Sequence, residues 1–201
     1  MKNFLYSLIF PTLTNAIALL FCLLCVQVST VIRRLTEDIT LGSPINFITS
    51  KRLEKIKEKS EIDDILDNIQ DIFSMPSLFI IVSNLSTCAS VLNLYLNSHT
   101  ISVVTYIEWA LYAINSLGCL VAVLWIAGGV TVADQKFKES FHRKSKLRMF
   151  LDATPTEPRL ERWLFDKPDF VFNGWGILPY RRITVFAVIG ALVTYTVLIV
   201  N

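Results

Sequence analysis

The 201-residue chain has the composition of a membrane protein. Hydrophobic residues make up 53% of it and charged residues only 18%, whereas soluble domains carry about 25% charged residues. The net charge of +2 is too small to favour nucleic acid as a partner. Apart from Lys2 and Glu108, every charged residue lies within 33–71 or 134–182. This alternation excludes a single soluble core, a disordered chain and a disulfide-rich secreted scaffold.

Four apolar stretches separate and flank these charged segments, at residues 4–32, 73–96, 104–131 and 183–200. A bilayer core requires about 20 apolar residues per helix. The first stretch is too long for a signal peptide, and the basic pair Arg33-Arg34 follows it in place of a cleavage site. The predicted fold class is therefore all-α. We expect one polytopic membrane domain over residues 1–201, with four transmembrane helices and cytoplasmic helical extensions.

The basic residues predict the orientation of these spans. Eighteen of the 19 Lys and Arg residues fall in the two loops at 33–72 and 134–182. Cytoplasmic loops carry the excess of Lys and Arg. The sequence therefore predicts a multi-pass plasma-membrane protein in which both long loops are cytoplasmic and both termini are extracellular.

Both loops contain further elements. In the first, apolar residues recur at helical spacing, at Leu53, Ile56, Ile62, Ile65, Ile69 and Ile72, with a gap at Lys59. This amphipathic helix either lies on the membrane surface or extends the second span and packs with other helices, and Pro76 is expected to kink it. In the second loop, residues 134–148 are expected to continue the third span, and Gly174 and Gly176 predict a tight reversal before the fourth.

Residues suited to catalysis are scarce. The two histidines lie in loops on opposite sides of the predicted membrane, and no catalytic or nucleotide-binding motif occurs. The cysteines lie in apolar runs and are predicted to pack as small hydrophobic residues, at Cys22, Cys25, Cys88 and Cys119. Glu108 is the one charge within a span; an intramembrane acid is typical of a functional site, but the favoured interpretation is an interfacial residue, because Glu108 lies near the outer end of its span, where it can reach water. We therefore expect no enzyme activity, no metal site and no cofactor.

The last span carries a stripe of residues spaced three and four apart, at Ala187, Ala191, Thr194, Leu198 and Asn201. A pore-lining helix needs such a stripe, with room at the small residues, a hydrophobic constriction at Leu198 and a polar ring at Asn201. Alternatively, Ala187, Gly190 and Ala191 allow close helix packing within a bundle. Periodicity alone leaves both interpretations open.

The end of the chain resembles the C-terminal end of the insect-type gustatory receptor family, which is related to insect odorant receptors. The resemblance rests on Gly-Trp-Gly-Ile-Leu at 174–178, Ile-Gly-Ala at 189–191, and Thr-Tyr at 194–195 before five residues and Asn201, where the family usually has Gln. Residues 69–74 also resemble the family's entry into its fifth span. The match covers the last four of seven spans, so the resemblance implies a truncated receptor.

The resemblance implies a tetrameric ligand-gated cation channel in which each subunit contributes its last helix to the pore. Leu198 would be the gate, Asn201 the polar ring, and Ala187, Ala191 and Thr194 the pore lining. The implied partners are membrane lipids, receptor subunits in a homo- or hetero-tetramer and a small-molecule tastant, with no nucleic acid. The family's ligand pocket draws partly on the early spans, which have no counterpart in this chain. The remaining aromatic candidates for ligand contacts are Tyr95, Tyr106, Trp109 and Tyr112, which would alternatively form an interfacial aromatic belt.

The sequence therefore predicts a chemosensory, gustatory-receptor-like subunit of a ligand-gated cation channel, acting in taste perception and signal transduction. The alternative is a non-conducting four-span scaffold or modulatory subunit. An intramembrane enzyme ranks third, because the sequence holds no constellation of acid, base or metal ligands.

Overall fold

The computed structural model describes residues 2–42, 49–97, 102–151 and 168–200. Within them the chain forms four helices and a two-stranded antiparallel hairpin, so the predicted all-α class is confirmed. The helices are α1 (Lys2–Leu41), α2 (Thr49–Asn97), α3 (Val103–Leu151) and α4 (Arg182–Val200), and the strands are β1 (Asn173–Gly174) and β2 (Leu178–Pro179).

Three of these helices, α1 to α3, are long and apolar enough to cross a membrane. Their apolar parts coincide with the first three predicted spans. Helix α4 is also apolar but has only 19 residues. At about 1.5 Å per residue it is roughly 28 Å long, close to the thickness of a bilayer core of about 30 Å.

Helix α2 unites the predicted amphipathic helix with the predicted second span. It continues through Pro76 as one helix of 49 residues, and it packs against both α1 and α3. Of the two interpretations of the first loop, the extension of the second span that packs with other helices is therefore the one observed. The apolar stretch of the third predicted span likewise continues as α3 through residues 134–148, as predicted.

The buried face of the α2 extension differs from the predicted one. Ile56, Ile62 and Ile69 are buried, but Leu53, Ile65 and Ile72 are at least half exposed. A further buried row follows a seven-residue spacing and includes two charged residues, at Arg52, Lys59, Leu66 and Phe73. A hydrophobicity pattern cannot predict this rotation, because it depends on the Asp134 carboxylate that α3 presents to Lys59.

The core joins all parts of the chain that the structure describes. It contains Leu66 of α2, Leu124 and Phe137 of α3, and Phe21 of α1, each almost fully buried. The ring of Phe21 lies 5.4 Å from that of Phe73 and 5.5 Å from that of Phe172, between centroids. Aromatic contacts therefore connect α1, α2 and the segment before the hairpin.

Candidate functional site

Helix α4 begins in close contact with α3. A Cβ atom added to Gly128 would lie 2.8 Å from the backbone nitrogen of Arg182, so a side chain at position 128 would displace the helix start. The guanidinium carbon of Arg182 lies 4.8 Å from the ring centroid of Trp125, a cation–π distance. These contacts fix the start of α4 against α3.

The hairpin before α4 is hydrogen-bonded to α2. Gln70 Nε2 donates to the backbone oxygen of Asn173 at 2.7 Å, and the Asn173 N–H donates to Gln70 Oε1 at 3.0 Å. Ser74 Oγ donates to the Asn173 oxygen at 3.2 Å and accepts from the Trp175 N–H at 2.7 Å. The two segments that carry the family resemblance, 69–74 and 174–178, are thus in direct contact although about a hundred residues separate them, as between Gln70 and Asn173.

A buried tyrosine completes this contact. Tyr180 is 1% exposed, and its hydroxyl oxygen lies 2.8 Å from that of Ser77. Burial raises the pKa of Tyr180, partly offset by the hydrogen bond to Ser77. The turn itself uses left-handed backbone at Trp175 (φ 49°) and Gly176 (φ 71°). The tight reversal predicted at the two glycines is therefore confirmed, and a Cβ at Gly174 would come 2.5 Å from the Tyr180 hydroxyl.

A buried ion network lies where α2 meets α3. Lys59 is 2% exposed and pairs with Asp63 one turn along α2 and with Asp134 of α3, whose Oδ1 is 2.8 Å from Lys59 Nζ. The ammonium group also lies 5.9 Å from the centroid of the Phe137 ring. Charges are stable in such surroundings only when they are paired and hydrogen-bonded. The gap in the predicted apolar stripe is therefore a contact between two helices.

The same network continues towards the hairpin. The N–H of Phe170 donates to Asp134 Oδ2 at 3.2 Å. Asp169 accepts from Gln135 at 2.9 Å and from Lys138 at 3.0 Å. The hydrogen bond from Gln135, with the charge and hydrogen bond of Lys138, lowers the pKa of Asp169 even though burial opposes this. Asp134 thus contacts both α2 and the segment that leads into α4.

A lysine joins α3 to the end of α1. Lys144 Nζ donates to the backbone oxygens of Ile39, Thr40 and Gly42, with the Thr40 contact at 3.2 Å. A cation is favourable at a helix C-terminus, where carbonyl groups lack helical partners. This contact could not be predicted from sequence, because Lys144 lies among other charged residues that suggest a solvated face.

The predicted pore stripe lies on a free face of α4. Ala187, Ala191, Thr194 and Leu198 are all exposed, and Leu198 is 73% exposed. The packed face carries Val185 and Leu192, roughly 130° away around a helix of 3.6 residues per turn. Asn201 lies outside the described residues. The structure thus brings the described stripe residues onto one side of α4, turned away from the other helices.

The predicted ligand-contact residues do not converge on one site. Tyr95 and Tyr106 share a hydrogen bond between their hydroxyls, with ring centroids 5.0 Å apart, at the α2–α3 end. Tyr112 is 47% exposed and Trp109 is partly buried. The structure therefore pairs two of the four candidates and leaves the other two on the α3 surface.

A cleft of about 340 Å³ lies elsewhere, between α1 and α3. Asn15 and Asn115 face each other in it with a 3.4 Å hydrogen bond, and Cys22, Gly118 and Cys119 also line it. None of the four predicted aromatic residues is among its lining residues. Sequence reasoning missed this cleft; the available signal was one asparagine within each of two apolar stretches.

The four cysteines are free thiols, three buried and Cys119 partly buried, which confirms their predicted packing as small hydrophobic residues. Among the described residues, no group of three or more His, Cys, Asp and Glu side chains is arranged to hold a metal ion.

No protein-family model matches the chain, and no curated protein matches it. Function is therefore inferred from the residues and their geometry.

Proposed function

We propose that this chain is a four-span membrane protein that forms the pore half of a gustatory-receptor-like, ligand-gated cation channel, as a homo- or hetero-tetramer. The observation that carries the proposal is the free face of α4. Small residues, a hydroxyl and then Leu198 follow one another along it, as a pore with a hydrophobic constriction requires. In an assembly, this face is available to neighbouring subunits.

The charged ends of the helices support the proposed topology. Lys55 of α2 lies 3.5 Å from Asp38 of α1, and Lys144 of α3 contacts the end of α1. Lys59 of α2 pairs with Asp134 of α3. Both basic loops therefore begin at the same end of the bundle, which is expected if both are cytoplasmic.

The contacts also offer a route from ligand to pore. In the proposal, a small tastant occupies the cleft between α1 and α3. Helix α3 lines that cleft and also carries Gly128, against which α4 begins. A ligand that binds better to one arrangement of α1 and α3 would shift the population of that arrangement, and the start of α4 would move with α3.

Replacing Leu198 by serine is expected to increase the resting conductance severalfold, because a closed apolar ring excludes ions by dewetting. The matched control is Val193→Ser. Val193 is also exposed, at 58%, but lies about 140° away around the helix. Bilayer recordings of the reconstituted chain would measure both. Equal effects would mean that the pore face is misassigned, and no current from any variant would favour the non-conducting scaffold.

Impermeant thiol reagents should distinguish the two sides of the membrane. Glu61→Cys and Lys146→Cys place exposed thiols in the two basic loops, and Ser102→Cys places one at the opposite end of α3. In intact cells only the Ser102→Cys variant should be labelled, and permeabilisation should expose the other two. The unmodified chain is the control, since its thiols are buried or partly buried. Labelling of the loop variants in intact cells would contradict the topology.

A further inference from the structure

The hairpin tip, residues 175–177, presents large apolar side chains to the outside. Trp175 is 63% exposed and Ile177 is 70% exposed. Just beyond the hairpin, Ile183 is 73% exposed at the beginning of α4, and Phe186 is 66% exposed one turn later. Large exposed apolar side chains therefore occur both at the tip and in the first turn of α4.

Along the helix axes, the hairpin tip lies where the charged parts of α2 and α3 end and their uncharged, largely apolar parts begin. On α2, the hairpin is bound by Gln70, Ser74 and Ser77, on either side of Phe73. Asp71 is the last charged residue of α2 in this direction. On α3, the segment before the hairpin is bound by Asp134, and that helix carries no charged residue between Asp134 and Glu108.

The charge beside the tip is positive. Arg181 is exposed and forms no salt bridge within the described parts of the chain, although its charge helps to lower the pKa of Asp169. The nearby Asp169 is engaged by Lys138 and Gln135. Tryptophan is favoured at membrane–water interfaces, and basic residues beside a cytoplasmic leaflet attract anionic lipids.

We propose that the hairpin tip is a lipid-binding element, in which Trp175 and Ile177 enter the interfacial region of the leaflet on the side of the charged loops and Arg181 attracts anionic headgroups. This inference rests on the membrane-spanning part of the proposed function and is independent of channel activity.

The turn geometry holds the tryptophan outward. Trp175 has a φ of 49°, a conformation that is uncommon for residues other than glycine and costs free energy. Its N–H donates to Ser74 Oγ, and the Gly176 N–H donates to Asn173 Oδ1 at 2.8 Å. These bonds maintain a strained backbone that keeps a large apolar ring exposed, and contact with lipid compensates for that exposure.

Fluorescence of a single tryptophan tests the proposal. The full chain carries Trp109→Phe, Trp125→Phe and Trp163→Phe, so that only Trp175 emits, and is reconstituted in phosphatidylcholine bilayers. Phosphatidylcholine brominated at shallow acyl positions should quench Trp175 strongly, and aqueous iodide should quench it weakly. Strong iodide quenching would overturn the proposal. Weak quenching by both would also overturn it, because protein, such as a second copy of the chain, would then cover the tip.

A second probe separates this inference from the proposed function. In the same background, Trp175→Phe with Leu111→Trp places the emitter on the apolar part of α3, at a position that is 61% exposed. Lipid brominated deep in the acyl chains should quench it. If lipid quenches the tryptophan at position 111 but does not quench Trp175, only the lipid-binding role of the hairpin tip is contradicted. If neither is quenched by lipid, the membrane-spanning proposal fails as well.

The role of Arg181 is tested with brominated phosphatidylserine at low mole fraction. One basic residue near the surface should enrich anionic lipid around Trp175 roughly fivefold, and Arg181→Gln should abolish this enrichment. Lys57→Gln, at an exposed position on the α2 extension, is the control and should leave it unchanged. Equal quenching in the native and Arg181→Gln chains would overturn the anionic preference.

Discussion

Replacing Lys59 by methionine is expected to lower the free energy of unfolding by about 3–5 kcal/mol. The substitution keeps an unbranched side chain but removes the charge that pairs with Asp63 and Asp134. The Asp134 side chain is 2% exposed and that of Asp63 is 10% exposed, so both carboxylates stay desolvated after losing the Lys59 cation, and Lys138 lies 3.9 Å from Asp134. Thermal denaturation of the detergent-solubilised chain would measure the loss.

The control for this substitution is Lys57→Met on the exposed side of the same helix, which should change stability little. The double variant Lys59→Met with Asp134→Asn should recover part of the loss, because it removes one of the two buried carboxylates that lost Lys59 and keeps an acceptor for the Phe170 N–H. Equal effects of the two lysine substitutions, or strict additivity in the double variant, would show that the network is not energetically coupled.

Replacing Gly128 by valine is expected to displace the start of α4 from α3. Even the first carbon of the new side chain would lie 2.8 Å from the Arg182 nitrogen and 3.2 Å from the Arg181 carbonyl carbon. Backbone atoms cannot move aside as a flexible side chain can, so overpacking should cost about 1–3 kcal/mol or more. We expect a lower melting temperature and, because Trp125 loses its contact with Arg182, altered tryptophan fluorescence.

Gly118→Ala on the same helix is the matched control, because nothing lies within 4 Å of its added Cβ. Alanine there should stabilise the helix by up to about 1 kcal/mol through its higher helix propensity. If Gly128→Val were as stable as Gly118→Ala, α4 would not depend on close contact with α3. In recordings, Gly128→Val should also make the current depend less on the ligand, although the proposed gate residue Leu198 is unchanged.

Local features of this chain were predictable from sequence. The apolar stretches of α1 to α3 could be predicted, because hydrophobicity is summed over about 20 neighbouring residues. The turn at Gly174 and Gly176 could also be predicted, because a tight reversal needs backbone conformations that glycine adopts easily. The stripe on α4 was defined by helical spacing alone, and its exposure follows from the packing of Val185 and Leu192 on the opposite side.

Contacts between distant residues required the tertiary structure. The sequence determined that α2 is amphipathic, but only its packing against α1 and α3 decided that Lys59 is buried and Leu53 is exposed. The same holds for Lys144 at the end of α1 and for the cleft between Asn15 and Asn115. A side chain's environment depends on which helices approach it and at what rotation. Those quantities are set by packing over the whole bundle, whereas the sequence pattern records only the periodicity of each helix.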